Sequence, residues 1–106
     1  ASMVPLTRVL APAGISFRMV ASMVPLTWDE ISQHNTKNDC WVVVDGVVYD
    51  MTDFLDDHPG GKRLPVKHSG KDVTEIWNSF HGDKKDSILR KYDHLRVGVV
   101  EPQSKL

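Results

Sequence analysis

Two runs of mostly branched apolar residues, Cys40-Trp41-Val42-Val43-Val44 and Val47-Val48-Tyr49, flank the dipeptide Asp45-Gly46. A two-residue connection of that kind needs positive φ at both central positions, which Asp and Gly tolerate. The segment therefore predicts a β-hairpin with a type I′ turn. Neither run alternates apolar with polar residues, so both faces of the hairpin are expected to be covered by the rest of the chain.

The chain has 106 residues and 11.9 kDa, room for one small domain. Hydrophobic residues make up 41% and charged residues 25%, which excludes collagen-like, coiled-coil and wholly disordered chains. No apolar run approaches the roughly 20 residues of a membrane helix. A net charge of −1 gives no global reason to expect nucleic acid or an anionic membrane as partner. Cys40 is the single cysteine, so no internal disulfide staples the core, which fits a reducing compartment. A domain of this size buries only about 60% of its unfolded surface and is marginal unaided. A bound cofactor is one way to make up the difference.

Around the hairpin the sequence reads as short helices. Thr27-Trp28-Asp29-Glu30 is a capping box, flanked by Leu26 and Ile31 at hydrophobic-staple positions, and predicts a helix to about Gln33. Thr52 is expected to cap a turn through Leu55. Asp72-Val73-Thr74-Glu75 reads as a second capping box, opening a helix through about Phe80. Ile88, Leu89 and Tyr92 follow at helical spacing, and Leu95 to Val100 has strand propensity. Helices and strands mix without a βαβ rhythm, which gives an α+β fold.

The N-terminus differs. Ala1 to Trp28 holds Arg8 and Arg18 and no acid, whereas residues 29–106 carry 11 basic and 14 acidic side chains. That composition resembles a mitochondrial transit segment. The heptad ASMVPLT, however, occurs unchanged at 1–7 and 21–27, which points to an artefact of cloning or of start-site choice. Residues 1–24 are expected to be a poorly ordered leader, 25–100 the domain and 101–106 a tail.

His58 and His81 stand out by context. His58 lies in Asp57-His58-Pro59-Gly60-Gly61, where Pro fixes φ and the glycines allow close approach of a flat ligand to the main chain. His81 follows Trp77 and Phe80. Around the two lie Met51, Phe54, Leu55, Leu64, Val66, Val73, Ile76, Ile88 and Leu89. Two imidazoles in an apolar set can ligate an iron whose macrocycle needs an apolar slot. Equally, a histidine beside Pro-Gly-Gly can be a turn residue and the apolar positions simple core. Nothing has structural-zinc spacing. His34, His68 and His94 sit in polar stretches and are expected to be solvated.

From Pro25 to Val100 the sequence resembles the cytochrome b5 haem-binding domain. The resemblance is carried by His34-Asn35 with Asp39-Cys40-Trp41, by Val48-Tyr49-Asp50-Met51-Thr52 to Phe54-Leu55, and by His58-Pro59-Gly60-Gly61. It continues through Ser69-Gly70-Lys71-Asp72-Val73-Thr74-Glu75 and His81. It implies a small mixed sheet beneath a cleft walled by two helix pairs, holding haem b (iron protoporphyrin IX). It implies His58 and His81 as axial ligands and Val44, Met51, Phe54, Leu64, Trp77, Phe80, Ile88 and Tyr92 as pocket wall, with Trp41 in a second core under the sheet. Each ligating ring should donate its other N–H to a backbone carbonyl.

Four features depart from the microsomal pattern. His58 and His81 are 23 residues apart, one fewer, which suggests a trimmed loop. Gly82 stands where a serine often bonds a haem propionate. Pro65 falls in the first turn of the helix after His-Pro-Gly-Gly, where a missing N–H is tolerable. Lys62, Arg63, Lys67 and Lys71 replace a mostly acidic face.

The implied function is a monomeric one-electron carrier rather than an enzyme, docking a reductase or an oxidase- or desaturase-type acceptor; the four basic residues can be a solvated helix face without function or can suit an acidic partner surface. The alternatives are a haem domain of a larger flavin or molybdenum oxidoreductase, and a haem- or sterol-binding module without redox duty. The paired histidines argue against the last. Ser104-Lys105-Leu106 resembles a peroxisomal address; the cytosol and the mitochondrial matrix are the other expected compartments.

Overall fold

The computed structural model of the chain describes residues 23–102. Residues 1–22 of the expected leader and the Ser104-Lys105-Leu106 tripeptide therefore lie outside the described residues, while the Val24 carbonyl accepts from Val99 N–H at 2.9 Å.

The hairpin forms as expected: β3 (Asp39–Val44) and β4 (Val47–Asp50) pair antiparallel, with Val44 opposite Val47 and Val42 opposite Tyr49. Asp45 and Gly46 both have positive φ, 49° and 78°, as a type I′ turn requires. Short segments extend this pair into a mixed sheet. β6 (Arg96–Val100) adds antiparallel to β4, and β1 (Pro25–Leu26) adds parallel to β6. On the far side β2 (Asn35–Thr36) pairs antiparallel and β5 (Lys71–Asp72) parallel with β3. The two-residue strands β1, β2 and β5 carry no periodicity of their own. They are extended because long strands offer them unpaired backbone groups.

Both faces of the hairpin are covered. Side-chain alternation sends Val43 and Val48 to one side, where they are fully buried with Ile31, beside the buried Leu26, and packed by Trp28 and Trp41. Cys40, Val42, Val44 and Tyr49 face the other side with Leu55, against Met51, Val66, Val73, Trp77 and Leu89. Trp41 thus lies in the second core, as the resemblance implies.

On the first face sits α1 (Trp28–Ser32), opened by the expected capping box. The Thr27 hydroxyl accepts from Glu30 N–H at 3.1 Å and donates to the Glu30 carboxylate at 3.2 Å. The second face carries two helix pairs. One joins a 3₁₀ turn (Thr52–Asp57) to α2 (Arg63–Lys67); the other joins α3 (Thr74–His81), through a 3₁₀ turn (Gly82–Lys84), to α4 (Lys85–Lys91). Pro65 falls in the first turn of α2, and that helix is only five residues long.

Two caps differ from expectation. Thr52 does not cap its turn: its hydroxyl accepts from Cys40 N–H, tying the turn to β3, while Asp50 accepts from both the N–H and the hydroxyl of Thr52. The Asp72–Glu75 capping box does not form either. The Asp72 carboxylate accepts from the N–H and hydroxyl of Thr74, only two residues on, and Val73 occupies the N-cap position. In both places the short Asp side chain closes a tight local turn, which competes with the wider box. This turn anchors α3 to the sheet, since Thr74 Oγ1 also accepts from Asp45 N–H and Val73 N–H donates to the Val43 carbonyl.

Candidate functional site

Between the two helix pairs and the sheet lies a cavity of about 760 Å³. Its floor is Val42, Val44 and Tyr49 of the sheet, and all eight pocket-wall residues expected from sequence line it: Val44, Met51, Phe54, Leu64, Trp77, Phe80, Ile88 and Tyr92. Leu55 and Val66 instead lie in the core beneath it. Leu64 and Phe80 form its outer lip, with 41% and 69% of their surfaces exposed.

His58 and His81 both line this cavity. His58 ends the first 3₁₀ turn, and its Nδ1 is hydrogen-bonded to the Gly61 carbonyl. Two local features allow that bond. Gly61 has φ +87°, a conformation that L side chains rarely adopt, and at Gly60 a Cβ would crowd the His58 ring. His81 ends α3, one turn after Trp77, and its Nδ1 lies 3.1 Å from the Trp77 carbonyl. The Trp77 indole lies against the His81 ring, centroids 3.8 Å apart and planes tilted by 33°. Gly82 then closes the helix with φ +49° and ψ −127°, a geometry that accounts for glycine at this position.

A carbonyl only accepts, so each Nδ1 must carry a proton, and in the neutral form of each ring Nε2 is the atom with a free lone pair. The expected carbonyl partners are therefore present for both rings. Phe54 braces the first of them, edge-on to His58 at 5.8 Å and 4.5 Å from Tyr92.

The other histidines divide. His94 is exposed, as expected. His68, expected to be solvated, lines the cavity from the end of α2, because the five-residue helix stops there and turns the side chain inward. His34 is half-buried: its ring lies on the Trp41 indole at 3.5 Å, 6° from parallel, and its Nδ1 is 2.6 Å from the Asp39 carboxylate. Polar neighbours in sequence suggested solvent; β2 pairing with β3 brings the ring onto Trp41 instead. Cys40 is fully buried beside Pro65, and burial pushes its thiol up to about 11, so it stays protonated and inert.

Among the described residues no three His, Cys, Asp or Glu side chains converge on a point where they could hold a metal ion. Two imidazoles alone leave a metal under-coordinated. The donor set suits a metal that arrives with its own equatorial donors on a large apolar body, and the cavity volume is within the range of such cofactor sites, about 300–1,000 Å³. The residues present fit haem.

Comparison with known proteins decides the family. The family model described as "Cytochrome b5-like Heme/Steroid binding domain" matches residues 27–101. The chain belongs to the cytochrome b5-like family. A solved structure of the cytochrome b5 of Ostreococcus tauri virus 2 superposes with a TM-score of 0.66 at 42% identity, covering 73% of this chain and 96% of that one. Among curated proteins, an L-lactate dehydrogenase (cytochrome) of Wickerhamomyces anomalus is 50% identical over 85 residues, 77% of this chain. A Delta(5) fatty acid desaturase A of Dictyostelium discoideum is 49% identical over 69 residues, 63% of this chain. The chain spans 15% of the length of each of these two relatives. Haem b is the cofactor of cytochrome b5 domains, and the domain is accordingly an electron-transfer module rather than a catalyst. No helix among the described residues is long and apolar enough to cross a membrane.

Proposed function

We propose that this cytochrome b5-like domain relays single electrons through a haem b that His58 and His81 would hold through their Nε2 atoms. The observation that carries the reading is that both imidazoles line one apolar cavity with Nδ1 committed to a backbone carbonyl. The haem supplies the one-electron Fe(III)/Fe(II) couple. The protein supplies two neutral nitrogen donors of fixed tautomer and orientation, so the ligand set is the same before and after the electron moves. Val44, Met51, Phe54, Leu64, Trp77, Phe80, Ile88 and Tyr92 exclude water and lower the local dielectric.

The setting favoured by the comparisons is that of a relay domain within a larger redox protein. Both curated relatives named above are about sevenfold longer than the matched segment, and their names describe a dehydrogenase and a desaturase. The electron partner in this reading is a flavin- or metal-bearing domain or a desaturase-type acceptor. The reading frame on the genomic sequence separates a relay domain from a free-standing carrier.

Haem reconstitution of point variants tests the ligation. His58→Ala and His81→Ala should each give a five-coordinate, high-spin spectrum with weakened haem retention, and His68→Ala should leave a low-spin spectrum intact. A low-spin spectrum unchanged in His81→Ala overturns the assignment and makes His68 the second ligand.

A further inference from the structure

The cavity lining is apolar or aromatic apart from its histidines and two lysines, Lys84 and Lys91, and no Asp or Glu among the described residues lines it. Lys84 is the residue before α4 and Lys91 its last, two turns apart on the face that also presents Ile88 and Tyr92 to the cavity. Seven residues of helix separate them by about 10 Å. Neither ammonium has a carboxylate partner among the described residues, although the chain's formal charge is −1 and acids are abundant. The Lys91 ammonium lies 5.5 Å from the centre of the Tyr92 ring, which holds it at the cavity wall. Gly82, the residue that follows His81, offers no side-chain donor.

An apolar slot with two uncompensated cations along one edge suits a flat apolar ligand with two carboxylates. We infer that Lys84 and Lys91 are the anionic anchors of the site, pairing with the two propionates of the haem. This rests on the haem assignment above and adds a role that falls to α4 rather than to the residue after His81. Each pair lies near solvent, so its contribution is electrostatic, modest and screened by salt.

The test uses the full chain loaded with haem b or with its dimethyl ester, in which the carboxylates are blocked. Haem transfer to excess apomyoglobin is timed for the wild type and for a Lys84→Gln/Lys91→Gln double variant. The variant should release haem b roughly threefold to tenfold faster at low salt, as two solvent-near charge pairs allow. The gap should close as salt rises, and wild type and variant should release the ester at one rate. Restoring charge with Lys84→Arg/Lys91→Arg should restore retention of haem b. Equal release of haem b by wild type and variant overturns the inference, as does the same acceleration with the ester, which would mean the lysines act on the fold. A wild type that takes up neither form fails at the haem assignment itself, a result distinct from both.

Discussion

A Cβ on Gly60 would sit 3.3 Å from Cε1 and 3.7 Å from Nδ1 of His58. The glycine is therefore part of the site: it is the surface against which the imidazole rests while Nδ1 meets the Gly61 carbonyl. His-Pro-Gly-Gly is a device that fixes one ring. Pro59 sets the direction of the turn, Gly60 makes room for the ring, and Gly61 places the carbonyl that selects the tautomer.

Gly60→Ala should accordingly push the His58 ring by a few tenths of an ångström. The cost falls on the hydrogen bond to Gly61, a term of about 1 kcal/mol. Haem affinity should drop several-fold in a titration, and the melting temperature of the haem-free protein should fall by no more than the roughly 4–8 °C that about 1 kcal/mol is worth.

On the opposite face of the sheet, His34 covers Trp41 and bonds Asp39. His34→Ala should remove a stacked ring and a hydrogen bond together, costing about 1–2 kcal/mol. That corresponds to a fall of roughly 4–8 °C in Tm per kcal/mol for a domain of this size. Because Trp41 packs in the second core, the haem spectrum should not change. Thermal melts and visible spectra of the same samples check both halves.

The legibility of this chain in its sequence follows the range of the interactions. The hairpin, the Thr27 capping box and both ligand candidates were readable because each is written in a few neighbouring residues. The pocket wall was readable through resemblance, and all eight of its residues line the cavity. What was not readable depends on distant pairing. The fate of His34 is decided by β2 folding onto β3, and that of His68 by where a five-residue helix stops. The strands β1, β2 and β5 exist only as neighbours of longer strands. Nothing in their neighbouring residues marks Lys84 and Lys91; the fold alone places both beside the cavity.

Cys40 links stability to alkaline pH. Its thiol pKa is raised from 9.0 to about 11 by burial first and by the Asp50 carboxylate second. A raised folded value means that the native state holds the proton more tightly than the unfolded chain. The stability it contributes is complete below the unfolded pKa near 9 and is lost as pH rises through 11, by about 3 kcal/mol at most. Denaturant midpoints measured from pH 8 to pH 11 should fall over that window in the wild type and fall less in Cys40→Ala. At pH 8 the folded protein should not react with a thiol reagent until it is unfolded.

The basic wall is less uniform than its sequence. Arg63, Lys67 and Lys71 have no carboxylate partner among the described residues, but Lys62 is 3.2 Å from Asp56 across the turn that holds His58. An acidic partner should still be steered to this rim, chiefly by Arg63, Lys67 and Lys71. Reversing Arg63 and Lys67 to Glu should slow electron transfer from an acidic partner at low salt and leave the haem spectrum unaltered. Reversing Lys62 should have the smaller effect, since the wild-type charge is already partly compensated. Stopped-flow rates against ionic strength measure this. A faster reaction with a basic carrier at low salt would show that Asp56 and Asp57 govern docking instead.

In the proposed function His58 and His81 would together leave the haem iron no open position. Adding carbon monoxide to the haem-loaded, dithionite-reduced full chain tests this most directly, because the gas needs an open or readily vacated site. The account predicts a low-spin reduced spectrum that carbon monoxide leaves unchanged. A prompt shift of the Soret band to a carbon monoxide complex would contradict it, showing that His58 or His81 does not hold the iron.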